Sequence, residues 1–183
     1  MRELCALLDM SPTPVREAMR LLEAEGLIVD EPHRGMSVSR PAVGSLGDLY
    51  DLRATLEGYA TRLATERLGG DDLDAIEAAA AAHREARLSG DYPRAAECNF
   101  EFHNLIYQAA NNSPYLLEFI ARLWNVFPWN ANWTLEMRAD HAVNEHGAVL
   151  EALRARDARK AEQLMRRHIL STKPLVTALL GDS

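Results

Sequence analysis

Cysteine is scarce in this sequence: only Cys5 and Cys98 occur among 183 residues, and they form no spacing motif. This excludes disulfide scaffolds and thiolate zinc clusters, and it favours a reducing, cytoplasmic compartment. Long apolar runs are also missing, because no stretch approaches the roughly 18 residues that a membrane span needs. The N-terminal segment carries acidic residues inside its apolar stretch, unlike a secretory signal. We therefore expect a soluble protein with no membrane partner.

An excess of positive charge is lacking as well. The chain has 20 Lys and Arg against 27 Asp and Glu, which gives a formal net charge of −7. Because long-range repulsion opposes the encounter, such a chain does not coat nucleic acid or anionic membranes by bulk charge. Any contact with DNA must be local. The length suits one full domain, with room for a small second one.

The first 41 residues combine three short signals. Residues 2–8 favour a short helix, Ser11 and Pro12 mark the start of a second helix over about 12–25, and Gly26 ends it. Alternation over 27–31 and 36–39 predicts a β-hairpin turned by residues 32–35. The apolar face of the second helix is expected to point inward and consists of Val15, Ala18, Met19 and Leu22. Its exposed face carries Thr13, Arg16 and Arg20.

The remainder of the chain is nearly all helical in pattern, after a Pro/Gly/Ser segment at 40–45 that is typical of a linker. Punctuating residues predict six helices, at about 45–68, 71–89, 92–110, 113–127, 129–156 and 158–180. The predicted fold class is all-α: a small helix-turn-helix unit with a hairpin over residues 1–41, and a helical bundle over residues 42–183.

The first bundle helix carries an apolar stripe of Leu49, Leu52, Leu56 and Leu63. Arg53 lies beside this stripe and is expected to face inward or to sit at its edge. Its guanidinium has two equally plausible uses: an ion pair with Glu57 one turn later, or a clamp on the carboxylate of a ligand.

Three histidines fall, by helical periodicity, on the apolar faces of three different helices: His103, with Asn99 one turn before it, His146 and His168. Each alone would be an ordinary core histidine. Because unpaired polar groups are costly in an apolar interior, the set together with Asn99 favours one shared site. Imidazole nitrogens commonly bind first-row transition metals, so we predict a divalent cation such as Zn or Ni with open coordination positions.

The other histidines and the tryptophans lack this placement. His33, His83 and His141 are assigned to the surface or the hairpin. The three tryptophans are assigned to core and rim packing, with lining of the site as a less favoured alternative: Trp124, Trp129 and Trp133.

The segment LCALLDMSPTPVREAMRLLEAEGLIVDEPHRGMSV resembles the second half of the winged helix-turn-helix of GntR-type bacterial transcription regulators. The resemblance implies that the helix at 12–25 enters the major groove and the hairpin tip, the wing, reaches the minor groove. It assigns DNA contacts to Arg2, Thr13, Arg16, Arg20, Arg34 and Gly35. Arginine offers the bidentate fork that guanine edges accept. The family's domain begins with a further helix, so an incomplete winged helix is expected here.

Residues 45–180 resemble the all-helical FCD effector domain of FadR-like GntR regulators. The segments that carry this resemblance include LYDLRATLEGYATRLA, PYLLEFIARLW and EHGAVLEALRARDARKAEQLMRRHI. In metal-binding members a carboxylate and three histidines hold a divalent cation in a central cavity. The matching positions are Asn99, His103, His146 and His168, with an amide in place of the usual aspartate.

A cation held by neutral imidazoles and an amide keeps its full charge, which favours an incoming anion. The sequence therefore predicts a homodimeric regulator that binds a pseudo-palindromic operator and responds to a small organic acid, with Arg53 as a second contact for that effector. Two alternatives stay open: a ligand-binding remnant without DNA binding, and a metal-dependent hydrolase. Against the hydrolase, Glu101 and Glu145 are expected to point away from the site.

Overall fold

The computed structural model describes residues 2–31, 35–38, 43–110, 114–125 and 139–174. These residues form eight helices and one two-stranded antiparallel sheet. The chain divides into two compact units, which meet in the sequence at Pro41 and Ala42. No helix within the described ranges combines the length and the apolar composition of a membrane span.

The N-terminal unit has the predicted order of helix, helix and hairpin. Its elements are α1 (Arg2–Leu8), α2 (Pro12–Ala24), β1 (Ile28–Glu31) and β2 (Gly35–Val38). Gly26 ends α2 in a left-handed conformation, with φ of +73°, which costs glycine little because it has no Cβ. The strands pair with Ile28 opposite Val38 and Glu31 opposite Gly35.

The apolar face of α2 is less buried than its periodicity predicts. Val15 is buried, as expected, and Met19 is half-buried, but Ala18 is exposed and Leu22 is 37% exposed. The prediction is therefore wrong for Ala18 and Leu22. Among the described residues, one short helix and a small hairpin offer too little surface to cover a 13-residue helix.

The described residues of the larger unit form six helices, as predicted. They are α3 (Val43–Arg67), α4 (Gly70–Ser89), α5 (Tyr92–Ala109), α6 (Pro114–Asn125), α7 (Ala139–Arg154) and α8 (Ala158–Leu170). The interpretation of residues 43–45 as linker is wrong, because α3 begins at Val43; residues 40–42 lie outside the described part. Helix α8 ends at Leu170, where residues 171–172 form a turn; the predicted end at 180 lies outside the described residues.

Helices α3 and α8 pack closely against each other in the bundle. At Gly58 an added Cβ would lie only 2.5 Å from Cγ of Arg166, so a larger residue there would displace that side chain. Leu52 does not join the core as predicted and is 55% exposed. Its neighbour Arg53 occupies the buried position instead, and one residue along a helix turns the side chain by about 100°.

Candidate metal centre

The three predicted histidines converge in the interior of the bundle. His103 comes from α5, His146 from α7 and His168 from α8, and each is at most 4% exposed. Nε2 of His168 lies 3.1 Å from Nε2 of His103 and 3.3 Å from Nε2 of His146. One ligand atom from each of the three side chains lies within 4.8 Å of the other two.

This spacing suits a transition metal. Two nitrogens bound to zinc at about 2.1 Å are roughly 3.4 Å apart in a tetrahedral arrangement and roughly 3.0 Å apart at a right angle. Both measured separations fall within or close to that interval. Three imidazoles also leave at least one coordination position for water or a ligand. The donor set and its geometry therefore fit a divalent cation.

Acceptors at Nδ1 orient two of the rings. Nδ1 of His168 lies 2.8 Å from Oε2 of Glu145, and Nδ1 of His103 lies 3.0 Å from the hydroxyl of Tyr107. A carboxylate can only accept, so it keeps the proton on Nδ1 of His168 and leaves the Nε2 lone pair for a metal.

The expectation that Glu145 points away from the site is therefore wrong. Although it precedes His146 on α7, it faces the adjacent helix α8, and Ser171, just after the end of α8, also lies 3.3 Å from its carboxylate. Glu101, in contrast, is exposed as expected.

A buried network of polar side chains is joined to Nδ1 of His103 through Tyr107. The hydroxyl of Tyr107 donates to Oε2 of Glu57 at 2.5 Å, and Nε of Arg53 donates to Oε1 of the same carboxylate at 2.7 Å. Burial, together with the adjacent charge of Glu57, raises the pKa of Tyr107 well above its usual value. The phenol consequently keeps the proton that it donates.

Arg53 is 2% exposed and forms the ion pair with Glu57 that the sequence allows. Its Cζ also lies 5.4 Å from the ring of Trp124, which in turn lies 5.8 Å from the ring of His103. The guanidinium is thus held one aromatic ring away from the histidines. A contact of Arg53 with an effector stays a prediction.

A fourth buried histidine was missed by the sequence reasoning. His83, assigned to the surface, is 4% exposed, and its ring centre lies 4.9 Å from that of His146. Burial, with a smaller contribution from the positive charge of Arg87, lowers the pKa of His83 to about 4. It is therefore a neutral imidazole packed against the candidate ligands.

The remaining predicted site residues are placed as follows. Asn99 is half-buried on α5, one turn before His103. Trp124 is buried in the core, as predicted, with its ring centre 5.8 Å from that of His103. The residues His33, Trp129 and Trp133, and the side chain of His141, lie outside the described part.

The predicted DNA contacts lie in the N-terminal unit. The side chains of Arg2, Thr13, Arg16 and Arg20 are exposed on α1 and α2, and Gly35 is exposed at the start of β2. Gly35 has φ of +79°, a conformation that other residues adopt only with strain. Arg34 lies outside the described residues.

Both units match families of known proteins. Residues 48–171 match the FCD domain, and residues 1–38 match the bacterial regulatory proteins of the gntR family. The probable D-xylose utilization operon transcriptional repressor of Paenarthrobacter nicotinovorans is 31% identical, over 94% of this chain and 76% of its own length. The transcriptional repressor GlaR of Escherichia coli is 32% identical, over 93% of this chain and 81% of its own length.

A solved structure supports the fold. Escherichia coli McbR/YncC superposes with a TM-score of 0.85 at 24% identity, covering 97% of this chain and 85% of that protein.

Proposed function

The chain belongs to the GntR family of bacterial regulatory proteins and carries an FCD domain, and we propose from this premise that a small carboxylate metabolite, bound at a metal centre, switches its binding to operator DNA. Members of this family are transcription regulators and not enzymes, so the hydrolase alternative is dropped. We expect the protein to bind its operator in the cytoplasm, where the bacterial DNA lies.

The observation that carries the proposal is the convergence of three buried Nε2 atoms at 3.1 and 3.3 Å. His103, His146 and His168 would hold the cation, with the amide oxygen of Asn99 as a fourth ligand. Bound there, the metal supplies a positive charge that neutral ligands do not offset. An organic acid would provide both a further ligand and a compensating charge.

Arg53 would contact a second carboxylate of such an effector. Its Cζ lies 5.4 Å from the centre of the Trp124 ring, and that ring centre lies 5.8 Å from the centre of the His103 ring. Planar guanidinium and carboxylate groups match in geometry.

DNA binding would use the exposed side chains of α1 and α2 together with the wing: Arg2, Thr13, Arg16, Arg20, Arg34 and Gly35. Arg16→Ala should weaken binding to a pseudo-palindromic duplex selected from a random library. If Arg16 contacts a base edge, the loss is about 1–3 kcal/mol, or roughly 5- to 150-fold in Kd. Fluorescence anisotropy measures it.

Arg159→Ala is the matched control, because Arg159 is exposed on α8 in the other unit. Equal affinity of wild type and Arg16→Ala would contradict the assignment of Arg16. In the same titration malonate, a small dicarboxylate, should shift the curve of the zinc-loaded protein. A curve that malonate leaves in place would contradict the proposed switch.

A homodimer is the assembly that a pseudo-palindromic operator requires, since two reading heads must be related by a two-fold axis. GntR regulators typically dimerise. Sedimentation equilibrium should therefore give about twice the monomer mass of 20.4 kDa. A monomer at tens of micromolar protein would contradict this expectation.

A further inference from the structure

Four buried side chains form one hydrogen-bonded series that ends at a candidate metal ligand. It runs from Arg53 through Glu57 and Tyr107 to His103, with successive separations of 2.7, 2.5 and 3.0 Å. No member is more than 3% exposed. Such a series is shielded from water, so a change at one end is not damped by solvent on its way to the other.

The chemistry of the four groups fixes the direction of every bond. The carboxylate of Glu57 only accepts, so Tyr107 must spend its single proton on Oε2. The hydroxyl oxygen of Tyr107 is then left to accept from Nδ1 of His103. This places the ring proton of His103 on Nδ1 and leaves the lone pair of Nε2 directed at Nε2 of His168, 3.1 Å away.

We propose that Glu57 and Tyr107 are positioning residues of the metal centre, which hold His103 in its metal-binding tautomer and link the cation to Arg53. Neither residue belongs to the candidate ligand set of His103, His146 and His168. The proposal rests on the proposed function, because it assigns roles toward the cation and the carboxylate effector introduced there.

Effector binding at Arg53 should strengthen, not weaken, binding of the cation at His103. Arg53 draws negative charge of Glu57 toward Oε1, and an effector carboxylate that shares the guanidinium weakens this pull. More charge then resides on Oε2, so the bond from Tyr107 strengthens and its oxygen becomes a better acceptor for His103. Nε2 becomes more basic and binds the cation more tightly. By reciprocity, the cation strengthens effector binding.

The test begins with the metal-free protein and isotope-labelled histidine. The shifts of the two ring nitrogens report the tautomer, and spectra of single histidine variants identify His103. Wild type should show the Nδ1–H form. Tyr107→Phe and Glu57→Gln should shift His103 toward the Nε2–H form. Thr65→Val is the control, since it removes a buried hydroxyl that bonds only the helix carbonyl of Thr61 at 2.7 Å.

Zinc affinity provides the second measurement. Tyr107→Phe should weaken zinc binding about 10- to 100-fold, with Thr65→Val close to wild type. Malonate should tighten zinc binding in wild type and have little effect on it in Tyr107→Phe.

An unchanged His103 tautomer in both Tyr107→Phe and Glu57→Gln would overturn the proposal, even if zinc affinity falls, since the loss would then come from packing. Equal malonate effects in wild type and Tyr107→Phe would overturn the link to Arg53. Absence of zinc binding in wild type would instead refute the proposed function, and the metal-free spectra would still decide the role of Tyr107.

Discussion

Zinc should raise the melting temperature of this protein by roughly 10 °C, and chelation should reverse the rise. A ligand at about 1,000 times its Kd adds about 4 kcal/mol to the free energy of unfolding. In a chain of this size, 1 kcal/mol corresponds to about 2–4 °C. Calorimetry of the metal-free and zinc-loaded forms measures the difference, and elemental analysis should find about one equivalent of metal per chain.

His146→Ala should abolish the increase caused by zinc. The substitution also leaves a cavity in the bundle, so the melting temperature of the variant without zinc will be lower for reasons unrelated to the metal. Comparing each protein with and without zinc removes that contribution. The same increase in His146→Ala as in wild type would return the three histidines to ordinary core packing.

Asn99→Asp separates the role of the fourth ligand from that of the cluster. A carboxylate one turn before His103 adds a negative charge beside the cation, so zinc affinity should rise by at least about tenfold. The stabilisation by malonate should fall, because part of the cation's charge is already compensated. Asn104→Asp adds the same charge on another face of α5 and should change neither quantity appreciably.

The sequence predicted these histidines because strong periodicity surrounds them. His103, His146 and His168 lie on helices whose apolar positions contrast with polar ones, so the buried face of each helix can be assigned from spacing alone. The hairpin could also be predicted from the sequence, since two alternating segments follow Gly26 and are separated by the turn residues 32–35. In both cases local pattern and tertiary packing favour the same structure.

His83 could not be found in this way. It follows five consecutive alanines, residues 78–82, which are small and apolar on every side of the helix and so leave the buried face undefined. Only the packing of α4 against α5 and α7 decides that His83 faces His146. In an alanine-rich helix, periodicity therefore cannot show whether a polar residue is buried.

Glu145 and Arg53 show a second limit of prediction from sequence. Their roles depend on a partner from another helix or on burial, and neither is encoded in local spacing. Glu145 bonds His168, 23 residues later, because α7 and α8 pack against each other. The i,i+4 spacing of Arg53 and Glu57 permitted an ion pair but could not show that it lies in the core, where its energetic weight is very different.

Arg53→Met should therefore be among the most destabilising single changes in this chain. It leaves the carboxylate of Glu57, which is 0% exposed, without its cation. Breaking a buried pair from one side costs about 3–5 kcal/mol. Urea denaturation of the metal-free protein measures this, and the double variant Arg53→Met/Glu57→Leu should recover most of the loss, because no charge is then left buried.

The pair of Arg62 and Glu66 on the same helix is the matched control. It has the same i,i+4 spacing, but its nitrogen and oxygen are 3.4 Å apart and both side chains are at least 35% exposed. Water screens such a pair, so Arg62→Met should cost less than about 1 kcal/mol. Equal losses for Arg53→Met and Arg62→Met would mean that water reaches Glu57. The carboxylate could then not transmit a change at Arg53 to Tyr107, and an effector bound at Arg53 would act on the metal only through its own ligand atoms.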